Sequence, residues 1–403
     1  MKNLLALVLS AVLVLVATPS LAVDDPVELT YGQVSGVELE NGVTVFRGIP
    51  FAAPPVGDLR WRPPQPPTPW QGVRTADTFG PACVQGRAQL MSEDCLYLNV
   101  WTKTKADSAD ATLPVMVWIH GGGWSSGATA SGIYDGFGFA EKNVVLVSVN
   151  YRMNAFGFMA HPALSAESAR GVSGNYGILD HVAALEWVKE NIAAFGGDAS
   201  RVTVAGQSAG GGIVTNLLAL PSAKGLFDKA IVESGSLLLP GRPREKAEEM
   251  AVDALAGIGI GADATADELR SVSAQTFAAS NDLRAGFFFT PDAKFKPKAA
   301  IDALRAGEET DVPLLVGTNR GEGGFGAARS FATLAGDEGA PAFLYRFDHT
   351  PAFRAQEWTN GPVHSAELMF AFDSIDQSSW GGERADAADR ELAKKVNGCW
   401  VAF

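Results

Sequence analysis

The sequence has little positive charge. Its 403 residues include 32 Lys and Arg against 45 Asp and Glu, which gives a formal net charge of −13 at pH 7. This balance argues against a nucleic-acid partner, because phosphate binding needs clustered Lys and Arg. Charged residues make up only 19% of the chain and hydrophobic residues 47%. The chain can therefore bury a sizeable core, and global disorder is not expected.

Cysteine is also scarce, with only Cys83, Cys95 and Cys399 in the chain. No paired Cys/His spacing is typical of zinc, so we expect no metal site. Cys83 and Cys95 would close a short loop if they formed a disulfide, worth about 2–3 kcal/mol. Alternatively, they are two small buried hydrophobic residues. Cys399 is left over in either case.

Long apolar runs are absent after the first 22 residues. The chain begins "MKNLLALVLSAVLVLVATPSLAVDD", where Lys2 precedes an apolar run and "SLA" at 20–22 fits a small-x-small cleavage site. The run is near the lower length limit for a membrane anchor, and Pro19 ends it. We therefore favour a cleaved signal peptide over residues 1–22, and a soluble protein that is secreted or periplasmic.

Short apolar runs alternate with helical patterns along the rest of the chain. Two N-terminal runs joined by Asn41–Gly42 predict an antiparallel hairpin, and the Pro-rich residues 54–70 predict an ordered loop. The runs that follow predict a mostly parallel sheet covered by helices on both faces. Residues 241–285 are helical and more polar, and form either a cap over the sheet or a peripheral helix pair. The predicted strands are 96–102, 114–120, 144–152, 201–206, 229–235 and 312–317, and the predicted helices are 178–195 and 211–220.

The segment "TVAGQSAGGG" (203–212) surrounds Ser208 with small residues between a predicted strand and a predicted helix. "GQSAG" matches the G-x-S-x-G nucleophile elbow, in which the serine occupies a strained turn and its hydroxyl is exposed. Side chains at Gly206 and Gly210 would clash with neighbouring elements. An ordinary strand–helix turn is the alternative, and the motifs elsewhere in the chain favour the nucleophile.

The segment "HGGGW" (120–124) directly follows a predicted strand. Consecutive glycines leave peptide N–H groups unobstructed, so Gly122 and Gly123 can donate to an oxyanion together with Ala209. A phosphate cradle is the alternative, but the chain lacks the phosphate-binding spacings G-x-x-x-x-G-K-[ST] and G-x-G-x-x-G. We expect His120 to brace this loop and not to take part in the chemistry.

A serine nucleophile needs a base, and the chain has five histidines. The two that follow the serine are His349, at the end of a predicted strand, and His364, in a loop that opens an apolar helix. A base on a late loop is typical of α/β-hydrolases, so His364 is preferred. The base in turn needs an acid. Glu322 lies just past the carboxyl end of a buried strand and is preferred to Asp348 and Asp292.

Several stretches resemble, in order, the type-B carboxylesterase/lipase family, which is related to cholinesterases and bacterial para-nitrobenzyl esterases. They include "RGIPFAAPPVGDLRWRPP", "EDCLYLNVW", "VMVWIHGGGWSSG", "NYRMNAFGF" and "DVPLLVGTNRGEG". The resemblance implies an α/β-hydrolase fold and hydrolysis of small-molecule carboxylic esters without a metal or organic cofactor. The implied residues are the triad Ser208, Glu322 and His364, the oxyanion hole Gly122, Gly123 and Ala209, and the disulfide Cys83–Cys95.

Three features depart from the family pattern. Gln207 stands where the family often has Glu, and Gly321 replaces the Asp that commonly precedes the acid, which predicts a looser acid loop. Glu322 and His364 are 42 positions apart, fewer than is usual in the family. We therefore expect one domain over residues 23–403 with a shortened C-terminal part.

Three other functions use a similar scaffold. A non-catalytic binding protein would typically lack a triad member, whereas this chain keeps all three. An amidase or a lactonase would use the same triad. Trp124 and Phe287–Phe289 are candidates for an apolar acyl pocket, although ordinary core packing is the simpler interpretation for the phenylalanines.

Overall fold

The computed structural model describes most of the chain. The signal peptide predicted for residues 1–22 lies outside the described residues. Among the residues that are described, no helix is both long enough and apolar enough to cross a membrane. The described ranges are 26–86, 90–103, 112–235, 241–284, 286–287, 289–292, 298–337 and 339–403.

A nine-stranded mixed sheet lies at the centre of the fold. Smaller sheets are formed by β1, β2 and β5 and by β6 and β7. In chain order, the strands of all three sheets are β1 (Val27–Leu29), β2 (Gly32–Ser35), β3 (Val37–Glu38), β4 (Thr44–Pro50), β5 (Val73–Thr75), β6 (Ala82–Cys83), β7 (Met91–Ser92), β8 (Tyr97–Thr102), β9 (Leu113–Ile119), β10 (Val145–Val149), β11 (Gly197–Gln207), β12 (Lys229–Glu233), β13 (Leu314–Asn319) and β14 (Ala342–Phe347). The order in the large sheet is β3-β4-β8-β10-β9-β11-β12-β13-β14. The six strands from β10 to β14 are mutually parallel, and β3, β4 and β8 add an antiparallel edge.

The parallel strands are apolar because helices cover both faces of the sheet. All five residues of β10 are buried, as expected for a strand without a solvent face. The predicted mostly parallel sheet is therefore confirmed. The helices are α1 (Phe137–Ala140), α2 (Asn154–Phe158), α3 (Pro162–Glu167), α4 (Tyr176–Asn191), α5 (Ala209–Leu218), α6 (Arg244–Ala256), α7 (Ala266–Ser271), α8 (Ala274–Ala279), α9 (Asn281–Arg284), α10 (Ala300–Ala306), α11 (Phe325–Gly336), α12 (Leu368–Ala371) and α13 (Ala387–Ala402).

The N-terminal region contains two hairpins instead of one. β3 and β4 pair as predicted around Asn41 and Gly42, both of which have positive φ. The single strand predicted before them was wrong, because the chain turns at Gly32 and β1 pairs with β2. Gly32 has φ +149, and a Cβ there would lie 2.6 Å from the Trp70 ring. That contact leaves room only for glycine at the turn.

Residues 241–284 form four helices, α6 to α9, so the alternative of a peripheral helix pair was wrong. The alternative of a cap over the sheet stays a prediction. The apolar side chains of these helices belong to the main core: Leu255, Leu269 and Phe277 are each at most 1% exposed. The guanidinium of Arg60 donates to the carbonyl oxygens of Arg270 and Val272. These contacts fix α7 against the ordered Pro-rich loop of residues 54–70, in which Trp61 is buried.

The parallel strands place several polar residues at one edge of the sheet. β9 ends before the glycine loop of residues 120–127, and β11 ends one residue before Ser208. β12 ends before Ser234, and β13 ends three residues before Glu322. Because the carboxyl ends of parallel strands share an edge, the fold brings these residues together.

Candidate active site

Ser208 occupies the sharp turn between β11 and α5. Its backbone has φ +56 and ψ −121, a conformation that costs free energy in a residue with a side chain. The backbone N–H of Ser208 donates to the Glu233 carbonyl at 2.8 Å, which holds the turn against β12. A Cβ on Gly206 would lie 2.6 Å from the Gly210 backbone, and one on Gly210 would lie 2.1 Å from the Ile119 carbonyl oxygen. The predicted need for glycine at both positions is confirmed.

His364 lies between Ser208 and Glu322. Its Nε2 is 2.7 Å from Ser208 Oγ, and its Nδ1 is hydrogen-bonded to Glu322. Because an ionised carboxylate only accepts, Nδ1 carries the proton and Nε2 is free to accept the Ser208 hydroxyl proton. The His364 side chain is 46% exposed, whereas the Glu322 side chain is 14% exposed. His364 is thus more open to solvent than Glu322, which is shielded behind it.

The environment keeps Glu322 ionised and makes His364 a stronger base. Burial raises the pKa of Glu322, but hydrogen bonds from His364, Ser234 and the Asn319 backbone outweigh burial and leave that pKa below its ordinary value. The hydrogen bond to Glu322 raises the pKa of His364 above 6.5, and burial only partly opposes this. A carboxylate that stabilises the imidazolium is the arrangement that general-base catalysis requires.

The loop of residues 120–127 passes beside Ser208 and contains the peptide N–H groups of Gly122 and Gly123. Gly122 and Gly123 have φ +117 and +64, and in the described part of the chain neither N–H has an acceptor. The third donor, the Ala209 N–H, begins α5 and has no intrahelical partner. A Cβ on Gly121 would lie 3.0 Å from Ser208 Cβ, so the loop passes directly beside the serine. The three N–H groups can therefore bind an anion formed at Ser208.

His120 supports this loop through two contacts of its ring. Its Nδ1 bonds to the Gly121 carbonyl at 2.8 Å, and its ring stacks on Tyr151 with centroids 4.6 Å apart. Burial lowers the pKa of His120 to about 4, so the ring is neutral at pH 7. These contacts agree with the bracing role expected from the sequence.

The alternative candidates for the base and the acid form hydrogen bonds or ion pairs with residues outside the triad. His349 bonds to Asp389 at 2.8 Å, and Asp348 forms ion pairs with Arg320 and Arg346. Asp292 accepts a hydrogen bond from Asn175 at 3.2 Å.

Three residues behind Glu322 were not predicted from the sequence: Asn319 and Glu367 are buried, and Ser234 is half-buried. Ser234 donates a hydrogen bond to Glu322, and its Oγ lies 3.4 Å from Glu367. Asn319 donates its backbone N–H to Glu322 at 2.7 Å and its side-chain amide to Glu367. The available signal was positional: Ser234 directly follows β12, and Asn319 ends β13, at the same edge as Ser208. Glu367 gave a weaker signal, as a carboxylate within an apolar segment three residues after His364.

The departures from the family pattern have local explanations. Gln207 is buried, and its Nε2 lies 3.3 Å from His364 Nε2, so an uncharged amide stands beside the imidazole. The looser acid loop expected from Gly321 is not observed. The Gly321 N–H donates to the Pro362 carbonyl at 3.0 Å, and a Cβ there would lie 2.5 Å from the Gly361 oxygen.

The structure also places the cysteines and the phenylalanines that were candidates for an acyl pocket. Cys83 and Cys95 form a disulfide, while Cys399 is exposed with a free thiol. Phe287 and Phe289 are 7% and 2% exposed, which agrees with core packing, and Phe288 lies outside the described residues. Phe289 contacts the Trp124 ring edge-to-face at 6.3 Å, so this part of the core adjoins the glycine loop.

The fold and the site together define a class of protein. A nucleophile-elbow serine, a histidine on a late loop and a carboxylate after a neighbouring strand, all at the carboxyl edge of a mostly parallel sheet, are typical of α/β-hydrolases. A sequence model described as "Carboxylesterase family" matches residues 24–335. The chain belongs to the carboxylesterase family.

Individual relatives agree with this assignment. The chain is 43% identical to the fumonisin B1 esterase of Sphingopyxis macrogoltabida over 74% of its own length and 57% of the relative's. It is 35% identical to the para-nitrobenzyl esterase of Bacillus subtilis over 93% of its length and 88% of the relative's. The solved carboxylesterase of Geobacillus stearothermophilus superposes with a TM-score of 0.82 at 34% identity, over 94% of this chain and 90% of that one. The α/β-hydrolase fold predicted from the sequence is confirmed.

Proposed function

We propose that this chain is a serine carboxylesterase that hydrolyses small-molecule carboxylic esters through an acyl-enzyme intermediate. The observation that carries the proposal is the hydrogen-bonded series from Ser208 through His364 to Glu322. Membership of the carboxylesterase family supports it, as do the names of the relatives, which describe esterases.

Acylation begins when Ser208 Oγ attacks the ester carbonyl carbon and His364 Nε2 takes the hydroxyl proton. The carbonyl oxygen becomes an oxyanion and accepts hydrogen bonds from the Gly122, Gly123 and Ala209 N–H groups. One such donor contributes about 3 kcal/mol to transition-state stabilisation. His364 then gives its proton to the leaving alkoxide as the carbon–oxygen bond breaks, which releases the alcohol and leaves an ester on Ser208.

Deacylation repeats these steps with water as the nucleophile. His364 removes a proton from water as the water oxygen attacks the acyl carbon, and the same N–H groups hold the second oxyanion. His364 then returns a proton to Ser208 Oγ, and the carboxylic acid leaves. Glu322 stays ionised throughout, since its pKa is held below the ordinary value, and it orients the imidazole and stabilises its protonated form.

The first test compares Ser208→Ala with the wild type on p-nitrophenyl esters of increasing acyl length. We expect kcat to fall at least about a thousandfold, because the nucleophile is lost while the fold is kept. Ser271→Ala is the matched control, since the Ser271 hydroxyl donates to the Glu268 carbonyl within α7, a helix that holds none of the proposed site residues. Equal turnover by wild type and Ser208→Ala would reject the mechanism.

Three further outcomes separate the other functions. If a fluorophosphonate probe fails to label the wild type, the chain is a binding protein on an esterase scaffold. If anilides turn over faster than matched esters, the chain is an amidase. Faster turnover of cyclic esters than of open-chain esters would identify a lactonase.

We also propose that residues 1–22 direct export and that residues 23–403 form the mature domain. The family match begins at residue 24, and the disulfide Cys83–Cys95 suits an oxidising compartment. Expression of the full chain with fractionation and N-terminal mass spectrometry tests this. We expect exported protein that begins at Val23, and an uncleaved chain in the membrane fraction would favour an anchor.

A further inference from the structure

Among the described residues, the Gln85 side chain joins the disulfide loop directly to the glycine loop of the active site. Gln85 lies two residues after Cys83 and is only 6% exposed. Its Nε2 donates to the Gly127 carbonyl at 2.8 Å, and its Oε1 accepts the Gly127 N–H at 3.0 Å. The same Nε2 also lies 3.1 Å from the Cys83 carbonyl. One amide therefore satisfies both backbone groups of Gly127 and ties them to the disulfide.

Gly127 is packed against the part of the loop that presents the oxyanion donors. Its φ is +122, and a Cβ there would lie 2.4 Å from His120 Nδ1 and 2.6 Å from the Gly121 carbonyl oxygen. The Gly121 carbonyl and the Gly122 N–H belong to one rigid peptide plane. A shift of Gly127 would therefore rotate that plane and turn the Gly122 N–H away from the oxyanion.

A second contact joins the same two loops. The Val84 carbonyl accepts a hydrogen bond from the Asn154 side chain at 2.6 Å, and the Asn154 N–H donates to the Trp124 carbonyl at 2.6 Å. Both residues that follow Cys83 are thus connected to the glycine loop by hydrogen bonds, Val84 through Asn154 and Gln85 directly. Of these two residues, Gln85 is the one that bonds to Gly127, which packs on the Gly121 peptide.

We propose that Gln85 is a positioning residue for the oxyanion hole and that the Cys83–Cys95 disulfide holds Gln85 in place, an inference that rests on the proposed esterase function. Opening the disulfide frees the Cys83 end of the segment and lets Gln85 leave Gly127. Turnover then falls because the Gly122 N–H is misaligned, while Ser208, His364 and Glu322 keep their contacts.

The test replaces Gln85 by Leu, which has a similar size and makes no hydrogen bond. We expect kcat on p-nitrophenyl butyrate to fall at least about tenfold with KM within about twofold, since a donor that acts only in the transition state affects kcat. Inhibition by a trifluoromethyl ketone, whose adduct with Ser208 carries an oxyanion, should weaken by the same factor. Gln65→Leu is the matched control, because the exposed Gln65 side chain donates to the Pro63 and Pro64 carbonyls of its own loop.

A second experiment tests the role of the disulfide. It uses the double variant Cys83→Ala/Cys95→Ala, alone and combined with Gln85→Leu. We expect the cysteine variant to lose kcat by about the same factor as Gln85→Leu, and the combined variant to lose little more. If the two losses multiply, the disulfide does not act through Gln85. If Gln85→Leu lowers only the thermal midpoint and keeps kcat, the side chain is merely structural. Either result overturns the proposal.

Two additions keep the test decisive. If Gln85→Leu does not fold, Gln85→Met takes its place with the same expected loss. Failure of the proposed function is distinguishable, because Ser208→Ala would then match the wild type. Failure of the present inference leaves Ser208→Ala inactive and Gln85→Leu as active as the wild type.

Discussion

At the scale of single residues, the basicity of His364 sets the pH range of the proposed reaction. Only neutral His364 can accept the Ser208 proton, so kcat/KM should fall as pH decreases through the His364 pKa. Glu322 raises that pKa above 6.5, because it stabilises the protonated ring. The acidic limb of the wild-type profile should therefore lie above pH 6.5.

Glu322→Gln tests this coupling. The neutral amide no longer stabilises the imidazolium, so the acidic limb should move to lower pH while maximal kcat falls by about 10³- to 10⁴-fold. Profiles of kcat/KM from pH 4 to 9 measure both effects. Asp348→Asn is the control, since Asp348 pairs with Arg320 and Arg346 and should leave the limb unchanged. An unshifted limb in Glu322→Gln would contradict the assignment of Glu322.

Sequence reasoning reached some residues of the site and not others, for a physical reason. Ser208, Gly122 and Gly123 follow from local motifs, because a strained turn and an unobstructed backbone require specific residue types at fixed spacing. Ser234 and Glu367 have no such pattern. They meet only because β12 and the loop around His364 pack together, and that packing is a property of the whole chain.

At the scale of elements, the junction of β11 and α5 tolerates no side chain at Gly210. Ala at this position places its Cβ 2.1 Å from the Ile119 carbonyl, so β9 and α5 must separate. We expect Gly210→Ala to lower the free energy of unfolding by about 2 kcal/mol or more and to abolish esterase activity. Chemical denaturation and ester turnover measure the two effects.

Gly398→Ala is the matched control for this substitution. Gly398 lies inside α13, and nothing lies within 4 Å of an added Cβ. The same change should therefore stabilise the helix by up to about 1 kcal/mol through its better helix propensity. If Gly210→Ala behaved like Gly398→Ala, the close approach of α5 to β9 would be wrong.

Elements with a continuous pattern were predictable, and those set by contacts were not. β11 and α5 were found because an apolar run meets a helical repeat at the elbow. The turn at Gly32 was missed, since it depends on the Trp70 ring packed against that glycine. Trp70 comes 38 positions later in the chain, beyond the reach of a local pattern.

At the scale of the whole molecule, four buried titratable groups have opposing effects on stability. Burial lowers the pKa of His120 to about 4 and that of His181 to about 3. The unfolded chain then binds more protons than the folded chain between about pH 4 and 6.5, so these two histidines destabilise the fold as pH falls.

The two buried carboxyl groups have the opposite effect. Burial raises the pKa of Glu367 to about 7 and that of Glu233 well above 4.5. The folded chain then binds more protons above pH 4.5, and these groups destabilise the fold as pH rises. We expect a nearly flat contribution from the four groups between about pH 4.5 and 6.5.

Glu367→Gln should remove one of the two carboxyl contributions to the pH dependence of stability. The wild-type carboxyl is protonated when folded and ionised when unfolded between pH 4.5 and about 7, so its contribution decreases by about 1.4 kcal/mol per pH unit across that window. Gln does not titrate and can keep the hydrogen bond from Asn319. Relative to the wild type, Glu367→Gln should gain free energy of unfolding as the pH rises from 4.5 to 7, on the order of 1 kcal/mol per pH unit, and nothing further above. Urea denaturation at four pH values measures this, with Glu186→Gln on the exposed face of α4 as control. Parallel curves for wild type and Glu367→Gln would mean that Glu367 has the same pKa in the folded and unfolded chain. The carboxyl would then be ionised inside the fold, which contradicts the effect of burial on its pKa.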